Sequence, residues 1–369
     1  MGAFAERSGL SQALFAAANA LVGHWRGGIA MAAIGACTGF GAICGSSVAT
    51  TATMGRAALP ELRRYNYADR LATGTLAVGG TLGILIPPSV ILIVYAISTE
   101  QNIAKLFMAA LIPGLLAAAL YIATIAWMVR RDPTAGPAGP RISGSERVKA
   151  LLKVWPILLI AFVVVGGIYG GVFTPTEGAA VGAVATLVVA MAGGSLGWSG
   201  IRASLLQTAE TSAMIFLVLL GAEVFNAFLA LSQLPTEAAE LITGMGLPPY
   251  LVLVALLLFY VVLGGVMDEL AMLLLTLPVF FPIVMALDFG LDSEETAIWF
   301  GILVLIIVGI GLTAPPIGLN VFVINAVAKE VPITETYRGV LPFLVTDFVR
   351  LGLVLVFPSL ALVLVRLLA

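Results

Sequence analysis

Ten apolar stretches, each long enough to cross or re-enter a lipid bilayer, recur along the 369 residues of this chain. They cover residues 28–55, 71–98, 106–129, 151–173, 178–195, 210–231, 248–264, 266–287, 296–326 and 340–365. Apolar residues make up 60% of the chain and charged residues 10%, so a single globule of this size cannot hide them from water. The sequence therefore predicts an all-α, polytopic protein embedded in a lipid bilayer.

The signs of the charges between these stretches predict how the chain is oriented. Arginines surround the first stretch, from Arg26 to Arg70, and fill the segment 130–150, whereas residues 288–295 are acidic. Placing the basic segments in the cytoplasm follows the positive-inside rule, with Lys105 as the exception. Residues 28–55 then enter and leave on the cytoplasmic side, and residues 248–287 enter and leave on the opposite side. The charges thus predict two opposed re-entrant hairpins.

The two halves of the chain also resemble each other. Residues 45–60 align with 267–282, and this pairs Ser46 with Asp268 and Pro60 with Pro282. Residues 82–95 align with 310–323, which pairs the following residues: Gly83, Pro87 and Pro88 with Gly311, Pro315 and Pro316. Two motifs in the same order, in segments of opposite predicted orientation, indicate an inverted repeat. Inverted repeats with broken helices near the bilayer midplane are typical of alternating-access transporters.

The repeat divides the chain into five predicted parts. These are a residual N-terminal scaffold helix (1–27), a first transport repeat (28–129, with hairpin 28–55 and broken helix 71–98), a cytoplasmic linker (130–150), the scaffold helices of the second repeat (151–247), and a second transport repeat with the last helix (248–369, with hairpin 248–287 and broken helix 296–326). The first half is shorter by about seventy residues, so we expect further scaffold helices, encoded upstream or supplied by another polypeptide.

Two proline pairs predict the breaks in the broken helices. Pro87–Pro88 and Pro315–Pro316 remove backbone donors within apolar segments and leave carbonyl groups without helical partners. Such carbonyls and nearby hydroxyls are suitable ligands for sodium. The nearby side-chain oxygens belong to Thr81, Ser89, Thr313 and Asn320. A purely structural kink is the alternative, and the symmetric second pair favours the functional interpretation.

The predicted hairpin turns carry polar groups of two kinds. The first turn has small and hydroxyl residues, namely Gly45, Ser46, Ser47 and Thr50. The second has Asp268 and Glu269, which are costly at membrane depth and therefore candidates for function. Asp268 either binds sodium or accepts backbone N–H bonds at the start of a helix.

Several motifs together resemble the large membrane subunit of the tripartite ATP-independent periplasmic (TRAP) transporters. They are GAICGSSVATTATMG, LGILIPPS, LFMAALIPGLL, FTPTEGAA, MDELAMLLLTLPVFFPI and GLTAPPIGLNVFVI, and they run in family order over nearly the whole chain. The resemblance implies a multi-pass protein of the bacterial inner membrane, of the ion-transporter superfamily fold. It implies an elevator mechanism driven by sodium as coupling ion, with no other cofactor.

The resemblance also implies partners and ligands. The partners are a small four-helix membrane subunit and a periplasmic substrate-binding protein, and the cargo is a small organic anion, by default a C4-dicarboxylate. One sodium region would contain Ser46, Ser47, Gly83, Pro87 and Pro88. The other would contain Asp268, Gly311, Thr313, Pro315, Pro316 and Gly318.

Other classes of function remain as alternatives. A stand-alone sodium–anion symporter of the same superfamily would need no binding protein. A membrane-embedded enzyme is disfavoured, because the chain has one histidine and few acids within its apolar stretches. A net charge of −2 argues against a nucleic-acid surface.

Overall fold

The computed structural model describes residues 1–368, and every regular element in that range is an α-helix. The helices are α1 (Gly2–Arg7), α2 (Leu10–Val22), α3 (Gly28–Cys44), α4 (Ser47–Arg64), α5 (Asp69–Leu85), α6 (Val90–Ser98), α7 (Ile103–Arg131), α8 (Gly144–Leu152), α9 (Trp155–Tyr169), α10 (Pro175–Ala192), α11 (Trp198–Ser232), α12 (Leu234–Gly244), α13 (Pro249–Gly264), α14 (Glu269–Met285), α15 (Ser293–Gly311), α16 (Leu319–Val327), α17 (Ile333–Val356) and α18 (Ser359–Leu368). The predicted all-α fold is confirmed.

Five helices in the described range are long and apolar enough to cross a membrane, namely α7, α10, α11, α15 and α17. The pairs α5–α6 and α8–α9 reach the same length when each is taken as one span, bent by 44° in both cases. The bend between α5 and α6 falls at Pro87 and Pro88, where the sequence predicts a broken helix. The structure thus has the helices of a multi-pass membrane protein.

The long helix α7 distinguishes the two ends of the helical bundle. Near its start, Lys105 Nζ lies 2.7 Å from Glu294 Oε1, at the beginning of α15. Just after its end, Asp132 Oδ2 lies 2.7 Å from Arg70 Nη2, at the beginning of α5. We call these the acidic end and the basic end. Lys105, the exception to the charge pattern, is paired with a carboxylate at the acidic end.

The two broken helices therefore begin at opposite ends and meet in the centre of the bundle. The inner segment α5 runs inward from the basic end and α15 from the acidic end. Residues 71–85 of α5 and 296–311 of α15 are all buried. Helices that are apolar on every side must be covered by other helices, so α5 and α15 form the core.

The first hairpin consists of α3 and α4 and reverses at Gly45 and Ser46. Gly45 ends α3 with a left-handed backbone (φ +67), and Ser46 then caps α4. Both outer ends lie at the basic end, because Gly27 N–H donates to Gly136 O near Asp132, and Arg63 pairs with Glu330. The second limb, α4, runs to Arg64 and so extends beyond residue 55, the predicted end of the hairpin.

The second hairpin consists of α13 and α14 and reverses between Gly265 and Asp268. Its outer end lies at the acidic end, where the rings of Tyr250 and Trp299 pack edge to face with centroids 6.3 Å apart. The two hairpins therefore enter from opposite ends, as the charge pattern predicts. Opposed hairpins and two broken helices are the fold expected from the inverted repeat.

Several element boundaries differ from the sequence-based expectation. The last stretch, expected as one helix at 340–365, is two helices, since Pro358 has no N–H with which to continue α17. Residues 1–27 contain two helices rather than one, separated at Gly9, which has a φ of +72. Only residues 132–143 of the expected linker at 130–150 are non-helical, because α7 runs to Arg131 and α8 begins at Gly144.

Helices α5 and α17 approach each other backbone to backbone. A methyl group at Gly74 would lie 2.6 Å from the carbonyl carbon of Gly339. One at Gly339 would lie 2.7 Å from the carbonyl carbon of Arg70. Beside this crossing, the hydroxyl of Thr336 donates to that of Thr73 over 3.0 Å. Small residues allow the backbones of membrane helices to approach this closely, and the hydrogen bond between the two hydroxyls then links α5 to α17.

Gly339→Ala is therefore expected to lower the midpoint of thermal unfolding in detergent. The backbone of α5 cannot rotate out of the way, and overpacking of this kind costs about 1–3 kcal/mol. Gly352→Ala is the matched control, because it lies on the same helix with no atom within 4 Å of the added methyl group. Its midpoint should equal or exceed that of the wild type. Equal midpoints for the two variants would contradict the close crossing.

Candidate functional site

The tip of the first hairpin lies against the break between α5 and α6. Val90 N–H donates to Gly45 O over 3.4 Å, across the break. A methyl group at Gly83 would lie 2.5 Å from Ser46 O and would also collide with Thr50 Oγ1. Glycine at position 83 thus lets the hairpin tip rest on the last turn of α5.

Three buried oxygen atoms without partners lie at this contact. Thr50 Oγ1, Ser89 Oγ and Asn320 Oδ1 are buried and have no hydrogen-bond partner in the described range. Ser47 is also buried, and its Oγ accepts a hydrogen bond from Asn320 Nδ2 at 2.7 Å. An unpaired polar atom in an apolar interior is costly unless a ligand or water satisfies it. Neutral oxygens of this kind are suitable ligands for a hard cation.

Asn320 connects the second half of the molecule to this first site. It lies on α16, beyond the second break, and its Nδ2 also donates to Ala77 O on α5 over 3.1 Å. The sequence identified Asn320 only by its nearness to Pro315 and Pro316. The structure instead brings its side chain to Ser47 of the first hairpin.

Thr81, the other hydroxyl near the first break, is already bonded. Its Oγ1 donates to Val78 O over 2.7 Å and lies 3.2 Å from the hydroxyl of Tyr121 on α7. Its hydroxyl therefore belongs to a buried network with Tyr121 on α7 and Asp347 on α17.

The tip of the second hairpin lies against the second break in an analogous way. A methyl group at Gly311 would lie 2.7 Å from the Cα of Gly264. Ile317 N–H donates to Gly265 O over 3.2 Å, across the break. Gly83 and Gly311, paired by the sequence repeat, therefore occupy corresponding positions. Each is the glycine on which a hairpin tip packs.

The second break differs from the first in its exposure. Pro315 and Pro316 are exposed, whereas Pro87 is buried. Thr313 is buried, and its Oγ1 donates to Ile310 O over 3.1 Å. Gly318 has a left-handed backbone (φ +59) and begins α16. The carbonyls of this break are thus nearer to the surface than those of the first break.

Asp268 begins α14 as Ser46 begins α4, in agreement with their pairing in the repeat. Asp268 Oδ1 accepts a hydrogen bond from Leu270 N–H at 3.0 Å, and Ser46 Oγ accepts one from Ala49 N–H at 3.4 Å. The helix-capping alternative for Asp268 is thus present in the structure. The Asp268 side chain is exposed, and Oε2 of neighbouring Glu269 is buried without a partner.

Tyr337 is a residue of the second break that sequence reasoning missed. Its hydroxyl lies on α17 and approaches both the Pro316 O and Ile317 O carbonyls. One phenolic hydrogen serves two acceptors, so these carbonyls retain lone pairs. The segment around Tyr337 has no motif, and only the packing of α17 reveals the contact.

Two hairpins that enter from opposite ends, each packed on the break of a discontinuous helix, define a membrane transport protein of the inverted-repeat type. Residues 1–360 match the family model of the tripartite ATP-independent periplasmic transporter, DctM component. The chain belongs to this family, the large permease component of TRAP transporters, and its relatives are named as transporter permeases rather than enzymes. The resemblance found in the sequence motifs is confirmed.

The relatives are named for different substrates. The C4-dicarboxylate TRAP transporter large permease protein DctM of Pseudomonas aeruginosa is 38% identical, over 98% of this chain and 83% of that protein. The sialic acid TRAP transporter large permease protein SiaM of Vibrio cholerae is 33% identical, over 97% and 82%. The ectoine/5-hydroxyectoine permease protein UehC of Ruegeria pomeroyi is 31% identical, over 93% and 78%. Membership of the family therefore does not define the substrate.

A solved structure supports the fold. The YdaH transporter of Alcanivorax borkumensis superposes with a TM-score of 0.64 at 16% sequence identity, covering 96% of this chain and 84% of that one. That transporter is described as having an unusual topology. At this identity the likeness concerns the arrangement of helices only.

Proposed function

We propose that this chain is the sodium-driven permease of a tripartite system that imports a small organic anion across the bacterial inner membrane. The group of buried, unpartnered oxygens at the first hairpin carries the proposal. The first proposed sodium site consists of Ser46, Ser47, Gly83 and Pro87, with Thr50 and Asn320 beside it. The second consists of Asp268, Gly311, Thr313 and Pro315.

The choice of sodium follows from the type of ligand. The oxygens at the first site are hydroxyl, amide and carbonyl groups, which carry no formal charge. Calcium and magnesium in proteins are usually held by carboxylates, whereas a monovalent ion tolerates neutral ligands. Broken helices provide such ligands from their unwound backbone in sodium-coupled transporters.

The proposed movement is of the elevator type. Helices α3–α7 and α13–α18 would move together, since the hairpins and broken helices pack on one another around α5 and α15. Helices α1, α2 and α9–α12 would form the scaffold. The surface of α11 is rich in exposed apolar side chains such as Phe216, Leu217 and Leu231, which suits contact with lipid or a small membrane subunit.

The proposed substrate is a carboxylic acid delivered by a periplasmic binding protein. The 38% identical relative from Pseudomonas aeruginosa is named for C4-dicarboxylates, so succinate is the first compound to test. Other relatives are named for sialic acid, ectoine and isethionate, and these complete the panel.

The test is uptake into proteoliposomes that contain this chain with its small subunit, supplied with a loaded binding protein. We expect uptake under an inward sodium gradient and none when choline replaces sodium. Equal uptake in choline would refute sodium coupling. Uptake without the binding protein would favour the stand-alone symporter instead.

The two roles of Asp268 can be separated by substitution. Asp268→Asn removes the negative charge but keeps an amide oxygen that can accept the Leu270 N–H bond. Asp268→Ser also removes the charge and keeps only a hydroxyl group that can accept this bond. If Asp268 binds sodium, both variants should lose sodium-driven uptake by about tenfold or more, since charge-assisted contacts are roughly twice as strong as neutral ones. Full uptake by Asp268→Asn, with loss only in Asp268→Ala, would limit Asp268 to the capping role.

A further inference from the structure

A groove of about 610 Å³ opens on the surface at the basic end, between the α2–α3 connection, the start of α3 and the second half of α7. Its lining includes Trp25, Arg26, Ala119, Ala123, Ala126 and Arg130. This volume is in the range of cavities that hold small-molecule ligands. None of its lining residues belongs to a hairpin tip or to the proposed transport sites.

The groove has an apolar floor and a basic rim. Ala119, Ala123 and Ala126 lie on one face of α7, at spacings of four and three residues, and their small side chains leave a channel along the helix. Arg26 and Arg130 stand where α7 ends and the α2–α3 connection passes it. A channel that is apolar along its length and positive at one end matches a ligand with a hydrocarbon tail and an anionic head.

The two arginines of the rim have no carboxylate partner in residues 1–368. Two other arginines near the basic end are paired, Arg56 with Glu6 and Arg63 with Glu330. The acid nearest in sequence to Arg130 is Asp132, which is bound by Thr134 and by Arg70. Hydrogen bonds from Thr134, together with those of Arg70, hold the pKa of Asp132 below its usual range, so it stays ionised and engaged.

The aromatic residues beside the rim are typical of the headgroup level of a bilayer. Trp25 is 53% exposed. Trp127 is also exposed, and its ring is covered by the guanidinium of Arg131, 4.3 Å from the ring centroid. Tryptophan is enriched at the membrane–water interface, and basic pockets between membrane helices bind anionic headgroups.

We propose that this groove binds an anionic phospholipid. The phosphate lies between Arg26 and Arg130, and an acyl chain follows the alanine face of α7 toward the centre of the bilayer. The ligand is a structural lipid of the membrane and differs from the transported substrate. The proposal is therefore independent of sodium coupling and of the identity of the cargo.

Native mass spectrometry of the detergent-purified protein tests the proposal. Phosphatidylglycerol is titrated against phosphatidylcholine with identical acyl chains. We expect the wild type to bind phosphatidylglycerol more tightly, and Arg26→Gln/Arg130→Gln to weaken that binding by about tenfold to thirtyfold, from the usual contribution of two basic residues near a membrane surface. Arg63→Gln/Arg338→Gln removes the same charge at the same end and should leave the affinity unchanged. Equal loss in both double variants, or equal affinity for the two lipids, would overturn the proposal.

A second variant distinguishes a lipid from a free anion. Ala123→Trp, at an exposed position of the floor, fills the path of the acyl chain and leaves both arginines in place. We expect it to weaken phosphatidylglycerol binding about tenfold, while inorganic phosphate at millimolar concentration leaves lipid binding intact in the wild type. Unchanged lipid binding in Ala123→Trp, or full displacement of the lipid by inorganic phosphate, would show a phosphate site and refute the lipid site.

Discussion

Alanine at Gly83 or at Gly311 is expected to reduce sodium-driven uptake by roughly fivefold to 150-fold, the rate equivalent of an overpacking cost of about 1–3 kcal/mol. At Gly83 the added methyl group would meet Ser46 O at 2.5 Å, within the proposed first sodium site. At Gly311 it would meet the Cα of Gly264 at 2.7 Å. Ser46 O and Gly264 Cα are backbone atoms, so in each case the hairpin tip must move off the broken helix.

Gly309→Ala provides the matched control, because the nearest atom to its added methyl group is Thr81 Cβ at 3.7 Å, an ordinary contact. It lies two residues from Gly311 on the same buried helix and should keep wild-type uptake. The dependence of uptake on sodium concentration separates site damage from unfolding. We expect a higher half-saturating sodium concentration in Gly83→Ala and an unchanged elution profile in size-exclusion chromatography. Normal sodium dependence in both variants would contradict the assignment of these tips to ion sites.

Much of the backbone could be predicted from the sequence. The signs of the charges indicate the side from which each hairpin enters, because positive residues stay on one side of the bilayer. The proline pairs locate the first break at Pro87 and Pro88 and the second at Pro315 and Pro316. The repeat pairs Ser46 with Asp268, and in the structure each is the N-cap of the second helix of its hairpin. These features follow from local chemistry and from symmetry, so no knowledge of packing is needed.

Contacts between distant helices could not be predicted in this way. Asn320 bonds to Ser47 across 273 positions, and Tyr337 reaches the carbonyls of the second break from the following helix. Each depends on how α16 and α17 are rotated against their neighbours, and spacing along the chain does not define that rotation. The extension of the first hairpin to Arg64 was missed for a related reason. Arg56 interrupts the apolar run, but its charge is paired with Glu6.

Asp347 and Arg350 lie three residues apart on α17 and form an ion pair within a buried network. Both side chains are buried, and Arg350 Nη2 lies 2.8 Å from Asp347 Oδ1. The Tyr121 hydroxyl on α7 donates to both carboxylate oxygens at 2.8 and 2.9 Å, and Thr81 on α5 lies next to that hydroxyl. The network joins three helices, and Thr81 is two residues from Gly83.

Removing one member of this ion pair is expected to have a large effect on stability. Arg350→Leu leaves a buried carboxylate with only Tyr121 as a partner, and Asp347→Leu leaves a buried guanidinium whose Nε and Nη1 already lack hydrogen-bond partners. Breaking a buried pair in this way typically costs about 3–5 kcal/mol, because the remaining charge is uncompensated. We expect each single variant to unfold at a lower SDS fraction in mixed micelles than the wild type. The free energy of unfolding obtained from these curves should fall by an amount of that size.

The double variant Asp347→Leu/Arg350→Leu tests whether the ion pair adds to the stability of the fold or whether each charge only offsets the cost of burying the other. If the cost in each single variant comes from the charge left behind, the double variant should recover most of the lost free energy of unfolding. Tyr121 then has no carboxylate to bond, so full recovery should require Tyr121→Phe as well. Additive losses in the double variant would instead mean that each side chain contributes by its own packing, with no coupling between the charges. Recovery of stability without recovery of sodium-driven uptake would show that the network also positions α5 at Gly83.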